Sequence, residues 1–364
     1  MMRDFKKTRK VVVKVGTNLL SSKDGIDEKR IGDLVRQIAH LKEMGIQVLL
    51  VSSGAVGMGA KKMGHVNPVV HIPLRQAYAA IGMPLLMSVY ERESLKYNII
   101  TAQVLITRTV LENRKSYINL RSSVSTLLAL GVVPVFNEND VVSTSEINNN
   151  FGDNDRLSAY IASKIDADLL VLLTDIDGLY TKNPKTDEDA ELIKTIDVVD
   201  QKIFSYAKGK GSVYSTGGMK TKLLAAKIAQ EGGCGTVIAS GFDDDVLIKI
   251  VGGEDVGTYI LPQRRLSQKA RWIKNASAEG TIVVDEGAKK ALLMHSSLLS
   301  NGILRLDGVF EKGSVVNVAT ADGNVFLKAV PRYNSTELEG ILKEKKRLVV
   351  FRPEESYGEG DGNE

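Results

Sequence analysis

Apolar residues fall into two textures along this chain. Short runs of aliphatic and β-branched residues alternate with longer stretches in which apolar side chains recur every three or four positions. Lys10 to Val15 reads as a strand. Asp27 to Met44 reads as a helix with Ile31, Leu34, Val35, Ile38 and Leu41 on one face, and Gly45 stops it. Gln47 to Val51 is the next strand, followed by helical sequence over Pro73 to Lys96, a strand over Ile99 to Thr107 and a helix over Asn113 to Leu130. Val132 to Phe136 is a short buried strand, Arg156 to Ile165 a helix and Ala167 to Leu173 a strand. A helix then runs out to Gln230, Thr236 to Ala239 is a strand and Asp243 to Ile250 a helix. This alternation predicts a mostly parallel sheet with helices on both faces, a three-layer α/β sandwich over residues 1–262.

From Leu261 the texture changes. Residues 263–275 carry Arg264, Arg265, Lys269, Arg271 and Lys274 without an acid and read as a basic linker entering a solvated helix with the only tryptophan, Trp272. Beyond it, glycine-punctuated short strands predict a small β-rich domain over 276–352. The acidic, glycine-rich stretch 353–364 reads as a disordered tail.

Composition narrows the classes. A chain of 364 residues with 43% hydrophobic and 25% charged residues is an ordinary globular protein, and a net charge of +4 is too small to argue for nucleic acid. One cysteine, Cys234, excludes an internal disulfide framework and reads as a buried thiol of a reducing compartment. With no apolar signal core and no apolar run of membrane-spanning length, a cytoplasmic location is expected and a membrane is not. His40, His65, His71 and His295 show no ligand spacing, so no Cys/His metal site is expected.

Four stretches break the apolar logic. Lys14 sits in a strand that otherwise reads as buried on both faces, where a lysine is tolerated only if its ammonium reaches an anion. Between Val132 and Ser158, two acid-and-amide tetrads, Asn137-Glu138-Asn139-Asp140 and Gly152-Asp153-Asn154-Asp155, lie where a strand ends and a helix begins, with Asn154 or Asp155 as the helix cap. Open α/β sheets bind ligands at such crevices, and clustered carboxylates need a cation: a metal, a lysine or a substrate ammonium. Finally, Ser52 to Gly59 and Tyr214 to Lys222 place glycines before a helix, which brings backbone amides close to phosphate. Neither segment carries a Walker ending, and the dinucleotide fingerprint is absent.

Taken together, Val12 to Thr17, Val51 to Val56, the two tetrads, Leu173 to Tyr180 and Thr216 to Lys222 resemble the amino acid kinase family, in its glutamate-phosphorylating branch. Val284 to Ala288, Ser296 to Leu299, Gly302-Ile303 and Gly308 to Phe310 resemble the PUA module appended in that branch. The resemblance implies transfer of phosphate from ATP, with Mg2+ on the phosphates, to the side-chain carboxylate of L-glutamate, the opening step of proline biosynthesis. It implies that Lys14 and Lys222 flank the transferring group and that Asp155 orients them. Ser53, Asp140 and Asn154 would hold glutamate, with Asp153 nearby. Lys14, Thr174, Asp175 and the run Thr216, Gly217, Gly218, Met219, Lys220, Thr221 and Lys222 would contact ATP. A homo-oligomer and feedback inhibition by proline are further implications. The chain departs from the branch at Met83, where glutamine is usual, at Asn148 to Asn150, which lengthen the substrate arm, and at Lys328 to Pro331.

Two other readings stand beside this one. A kinase of the same fold acting on aspartate, N-acetylglutamate, carbamate or uridylate is disfavoured by the paired tetrads and the C-terminal domain. An RNA-binding protein acting through the PUA-like domain is disfavoured by its charge, since residues 276–352 carry 11 Lys/Arg against 9 Asp/Glu.

Overall fold

The computed structural model describes residues 3–22, 25–65, 67, 69–142, 154–184, 186–207, 218–263 and 267–358. The chain divides into two compact units, Met1–Leu111 with Lys115–Arg265, and Glu112–Arg114 with Leu266–Glu364.

The first unit is built on β1 (Lys10–Val15), β2 (Gln47–Ser52), β3 (Thr101–Ile106), β4 (Val133–Glu138), β5 (Leu169–Thr174), β6 (Thr195–Ile196), β7 (Gly235–Ser240) and β8 (Thr258–Ile260). They form one eight-stranded sheet in the order β3-β4-β2-β1-β5-β7-β8-β6. Pairing is parallel from β3 through β7, and β8 runs antiparallel to β7. The helices used below are α1 (Glu28–Glu43), α2 (Ala55–Lys62), α3 (Ile72–Leu95), α4 (Arg114–Ala129), α5 (Asn154–Lys164), α6 (Met219–Glu231) and α7 (Val246–Val251). The boundaries read from periodicity hold closely: Asp27 caps α1 by accepting from Arg30 N–H, and Gly45 follows in the left-handed region at φ 79°.

Strand alternation divides the core into two layers. Val11, Val13 and Val15 pack with Leu34, Val35, Leu86, Tyr90 and Leu247 from α1, α3 and α7. Val12 faces the other way, onto Leu157 and Ile161 of α5 and Leu223 and Ala226 of α6. Lys14, two positions from Val12, therefore shares the face covered by α5 and α6. That period-two placement is what carries its ammonium toward the site.

Two sequence expectations are corrected in this unit. Gly59, in the glycine-rich run read as a phosphate approach, is a packing residue: a Cβ there would lie 1.9 Å from Tyr78 O. Gly82 answers from the facing helix, where a Cβ would lie 1.8 Å from Ala55 O, so α2 and α3 touch backbone to backbone. Neither Asn154 nor Asp155 caps its helix, because α5 already includes both. Their side chains are engaged elsewhere, as described below.

The second unit holds α8 (Gln268–Asn275) and β9 (Thr281–Val284), β10 (Ile303–Asp307), β11 (Val316–Ala319), β12 (Val325–Ala329) and β13 (Ser356–Gly358), in a sheet ordered β10-β9-β11-β12-β13. The basic helix is not solvated all round. Trp272 and Ile273 are buried with Ala276, Val315 and Val330, and the indole N–H donates to Glu112 O at 3.3 Å. Nor is the acidic stretch disordered from Pro353 onward. Glu355 takes a two-pronged ion pair from Arg332 at 2.9 and 3.2 Å, and Ser356–Gly358 then pairs with β12. Arg332 makes that glutamate more than a solubilising charge, which composition alone does not reveal. Residues 359–364 lie outside the described residues. Lys328, one of the departures, donates to Ala276 O at 2.7 Å and Lys274 O at 3.3 Å, so it satisfies carbonyls at the end of α8.

Candidate active site

The C-terminal ends of β1, β2, β4 and β5 all point to one edge of the sheet, and the candidate residues gather there. Lys14 is the penultimate residue of β1, Ser53 follows β2, Asn137 is the penultimate residue of β4, and Thr174 ends β5. Parallel strands make this inevitable: every βαβ unit delivers its post-strand loop to the same side.

At the centre is Asp155, in the first turn of α5 and fully buried. Its Oδ1 lies 2.6 Å from Lys14 Nζ, and its Oδ2 lies 3.1 Å from Lys222 Nζ and 3.2 Å from Thr221 Oγ1. Both lysine side chains are more than nine-tenths buried. Burial on its own would raise the Asp155 carboxyl, but the two flanking ammoniums overcome it and hold the group below the ordinary carboxylate range. Three charged side chains from β1, α5 and α6 thus form a buried cluster with two cations and one anion. The surplus positive charge suits an anionic ligand. Gly16 brings the backbone close to the cluster: a Cβ there would sit in ordinary contact, 3.4 Å from Lys14 Nζ.

Helix α6 adds to that field. Gly218 is its N-cap and supplies no side-chain cap, so the first turn, carrying Met219 and exposed Lys220, presents backbone N–H groups at its positive end. This is how a helix terminus holds phosphate. Thr174 Oγ1 donates to Asp175 Oδ1 at 3.0 Å, and Asn18 Nδ2 donates to Asp175 Oδ2 at 3.2 Å. Burial would raise Asp175, yet these two donors, with Lys222 also contributing, lower it.

A second group lies on the β2 and β4 side. Asn154 Nδ2 donates to Ser53 Oγ at 2.9 Å, to Asn137 Oδ1 at 3.1 Å and to Ser52 O at 3.3 Å. Asp140 stands half-buried in the turn after β4. Adjacent residues Asn154 and Asp155 therefore belong to two different clusters, one amide and one ionic. Asp153, Thr216 and Gly217 lie outside the described residues.

Sequence reasoning missed Asn18 and Asn137 as site residues. Asn18 lies in the short helical turn Thr17–Leu20 that follows β1, and the sequence carried no signal for it beyond its place at the end of the strand. Asn137 was visible inside its tetrad, but the residue to which it points could be seen only after folding. No set of three or more His, Cys, Asp or Glu side chains among the described residues forms a metal cage. No described helix is long and apolar enough to cross a membrane.

A central parallel sheet whose C-terminal edge bears a lysine-flanked carboxylate and a helix N-terminus defines a phosphate-handling α/β protein. The model of the amino acid kinase family matches residues 9–240 and that of the PUA domain residues 280–350, and the chain belongs to the amino acid kinase family. A carbamate kinase from Giardia lamblia, solved bound to AMP-PNP, shares the fold at a TM-score of 0.50 and 16% identity, over 70% of this chain and 99% of that one. Among curated relatives, the glutamate 5-kinase of Methanosarcina barkeri is 44% identical over 91% of this chain and 89% of its own length. That of Caldanaerobacter subterraneus subsp. tengcongensis is 43% identical over 91% and 90%. Within the family, the chain sits with the glutamate 5-kinases.

Proposed function

We propose that the protein transfers the γ-phosphoryl group of ATP to the side-chain carboxylate of L-glutamate, giving L-glutamyl 5-phosphate and ADP at the start of proline biosynthesis. The observation that carries this reading is the Lys14–Asp155–Lys222 cluster at the sheet edge. Two buried ammoniums held by one carboxylate form a preorganised positive site, and an anion attacking a polyanion needs that above all.

The nucleophile requires no base. A glutamate side chain has a pKa of about 4.3 and is already ionised at neutral pH. The protein's contribution is position and charge. Lys14 and Lys222 sit on either side of Asp155, so their ammoniums are fixed before the ligands arrive and lie beside the oxygens on which charge develops. Thr221 holds the same carboxylate from α6. The N-terminus of α6 receives phosphate oxygens through Gly218, Met219 and Lys220, while Thr174 and Asp175 contact the nucleotide. Mg2+, when bound with ATP, would neutralise phosphate charge and keep several of its waters.

Ser53, Asn154 and Asp140 hold glutamate by its α-ammonium and α-carboxylate, with Asp153 as a further contact. A substrate without the ammonium forfeits its charge-assisted contact with Asp140. The test traps the acyl phosphate with hydroxylamine, using glutamate, aspartate or N-acetylglutamate with MgATP. Glutamate gives the hydroxamate at a rate well above the others. Aspartate, shorter by one methylene, misplaces its carboxylate by about 1 Å, which costs ~10²-fold. Equal rates with N-acetylglutamate would overturn the assignment of the amino-acid subsite.

A further inference from the structure

Within the glutamate subsite proposed above, and resting on that reading, we infer that Asn137 is a positioning residue: it fixes which way the Asn154 amide faces and so makes the pocket selective for an ammonium-bearing diacid. One group beside Asn137 has a polarity that cannot be reversed. The Glu138 backbone N–H donates to Asn137 Oδ1 at 3.0 Å, and a backbone N–H can only donate. Asn137 Oδ1 is therefore the acceptor, and its Nδ2 faces the other way, onto Met83 Sδ at 3.5 Å. A thioether is a weak acceptor and never a donor, so both ends of the Asn137 amide agree. Asn137 and Met83 are both buried, which denies the amide water as an alternative partner.

The orientation passes on. The Asn154 atom 3.1 Å from Asn137 Oδ1 has to be a donor, hence Nδ2. The same Nδ2 lies 3.3 Å from the Ser52 carbonyl oxygen and 2.9 Å from Ser53 Oγ. A flipped Asn154 would set its own oxygen against two acceptors. With its N–H groups engaged, Asn154 offers the ligand its carbonyl oxygen, which is an acceptor. Ser53 Oγ receives a hydrogen bond from Asn154, which leaves its hydroxyl proton to donate. The pocket thus presents an acceptor for an ammonium at Asn154 and a donor for a carboxylate at Ser53. Met83, a departure from the branch pattern, preserves this polarity because it accepts from the same amide.

The experiment compares glutamate with glutarate, the same diacid lacking the ammonium, in wild type, Asn137→Leu and Asn137→Asp. The readout is the ratio of the glutarate inhibition constant to the glutamate KM, with the KM for ATP measured alongside. A hydrogen bond to a charged group carries roughly a tenfold effect or more, so Asn137→Leu lowers the ratio by at least ~10-fold through a higher glutamate KM. Its glutarate constant and ATP KM stay near wild type. Asn137→Asp keeps an acceptor toward both Glu138 N–H and Asn154, so it keeps the ratio or raises it. A purely structural role would shift glutamate, glutarate and ATP together. An unchanged ratio in a folded Leu variant overturns the inference. If that variant fails to fold, a tenfold fall in the Asp variant overturns it, and a retained or raised ratio supports it. Failure of the underlying assignment looks different: wild type then forms no hydroxamate from glutamate at all.

Discussion

Removing the carboxylate and removing a lysine from the central cluster have very unequal consequences for stability. The cluster contains Asp155 between two ammoniums, at 2.6 Å from Lys14 and 3.1 Å from Lys222, and all three side chains are buried. Lys222→Met leaves one buried cation against one buried anion, a neutral pair with its closer contact intact. Asp155→Asn leaves two buried cations with no anion between them. Breaking a buried ion pair by deleting one partner costs about 3–5 kcal/mol, because the remaining charge is uncompensated. For a domain of this size each kcal/mol moves Tm by about 2–4 °C, so Asp155→Asn lowers Tm by roughly 6–20 °C. Lys222→Met stays within a few degrees of wild type. Turnover behaves differently: Lys222→Met loses at least ~10²-fold in kcat, the scale for removing one preorganised group that meets transition-state charge. Near-UV circular dichroism melts and ADP-release assays on both variants give the four numbers. An Asp155→Asn protein as stable as wild type, or a folded Lys222→Met enzyme with near-normal turnover, would refute the reasoning.

Other expectations follow from individual contacts. Asp155 is held below the ordinary carboxylate range, so its share of stability is complete above that range and is lost as pH falls through its lowered folded value. Acid titration of wild type and Asp155→Asn should therefore converge at low pH and diverge toward neutrality. Asp140→Asn raises the glutamate KM far more than the ATP KM in steady-state assays; parallel changes would remove Asp140 from the amino-acid subsite. Gly82→Val forces a side chain into the 1.8 Å approach to Ala55 O and destabilises by more than the ~1–3 kcal/mol of ordinary overpacking, as urea melts would record. Glu355→Gln removes the charge that Arg332 grips and loosens Ser356–Gly358, and hydrogen exchange at those amides should rise.

Much of the fold was legible because period-two and period-3.6 patterns are local. Val11 to Val15 and Ile31 to Leu41 announce their elements without help from the rest of the chain. Lys14 was legible for the opposite reason, since a cation in a buried strand demands a partner, and Asp155 turned out to be that partner. What could not be read depended on contacts between distant segments. Gly59 looks like a phosphate approach until Tyr78 is seen against it. Glu355 looks like a tail charge until Arg332 arrives from an earlier strand end. Asn137 reads as one amide among several in its tetrad, and its bearing on Asn154 emerges only when β4 and α5 meet. Side-chain direction in a crowded polar site is set by such partners.

The central claim is that the glutamate carboxylate itself attacks phosphorus. L-Glutamate labelled with 18O in both side-chain carboxylate oxygens is incubated with the protein, MgATP and hydroxylamine. Attack by that carboxylate makes one labelled oxygen the bridge between carbon and phosphorus, and hydroxylamine then displaces phosphate with the bridge attached. Phosphate carrying one 18O atom, formed in step with the hydroxamate and slowed at least ~10²-fold in Lys222→Met, is the predicted result. Unlabelled phosphate released at the same rate would mean that water receives the phosphoryl group, and would contradict the account.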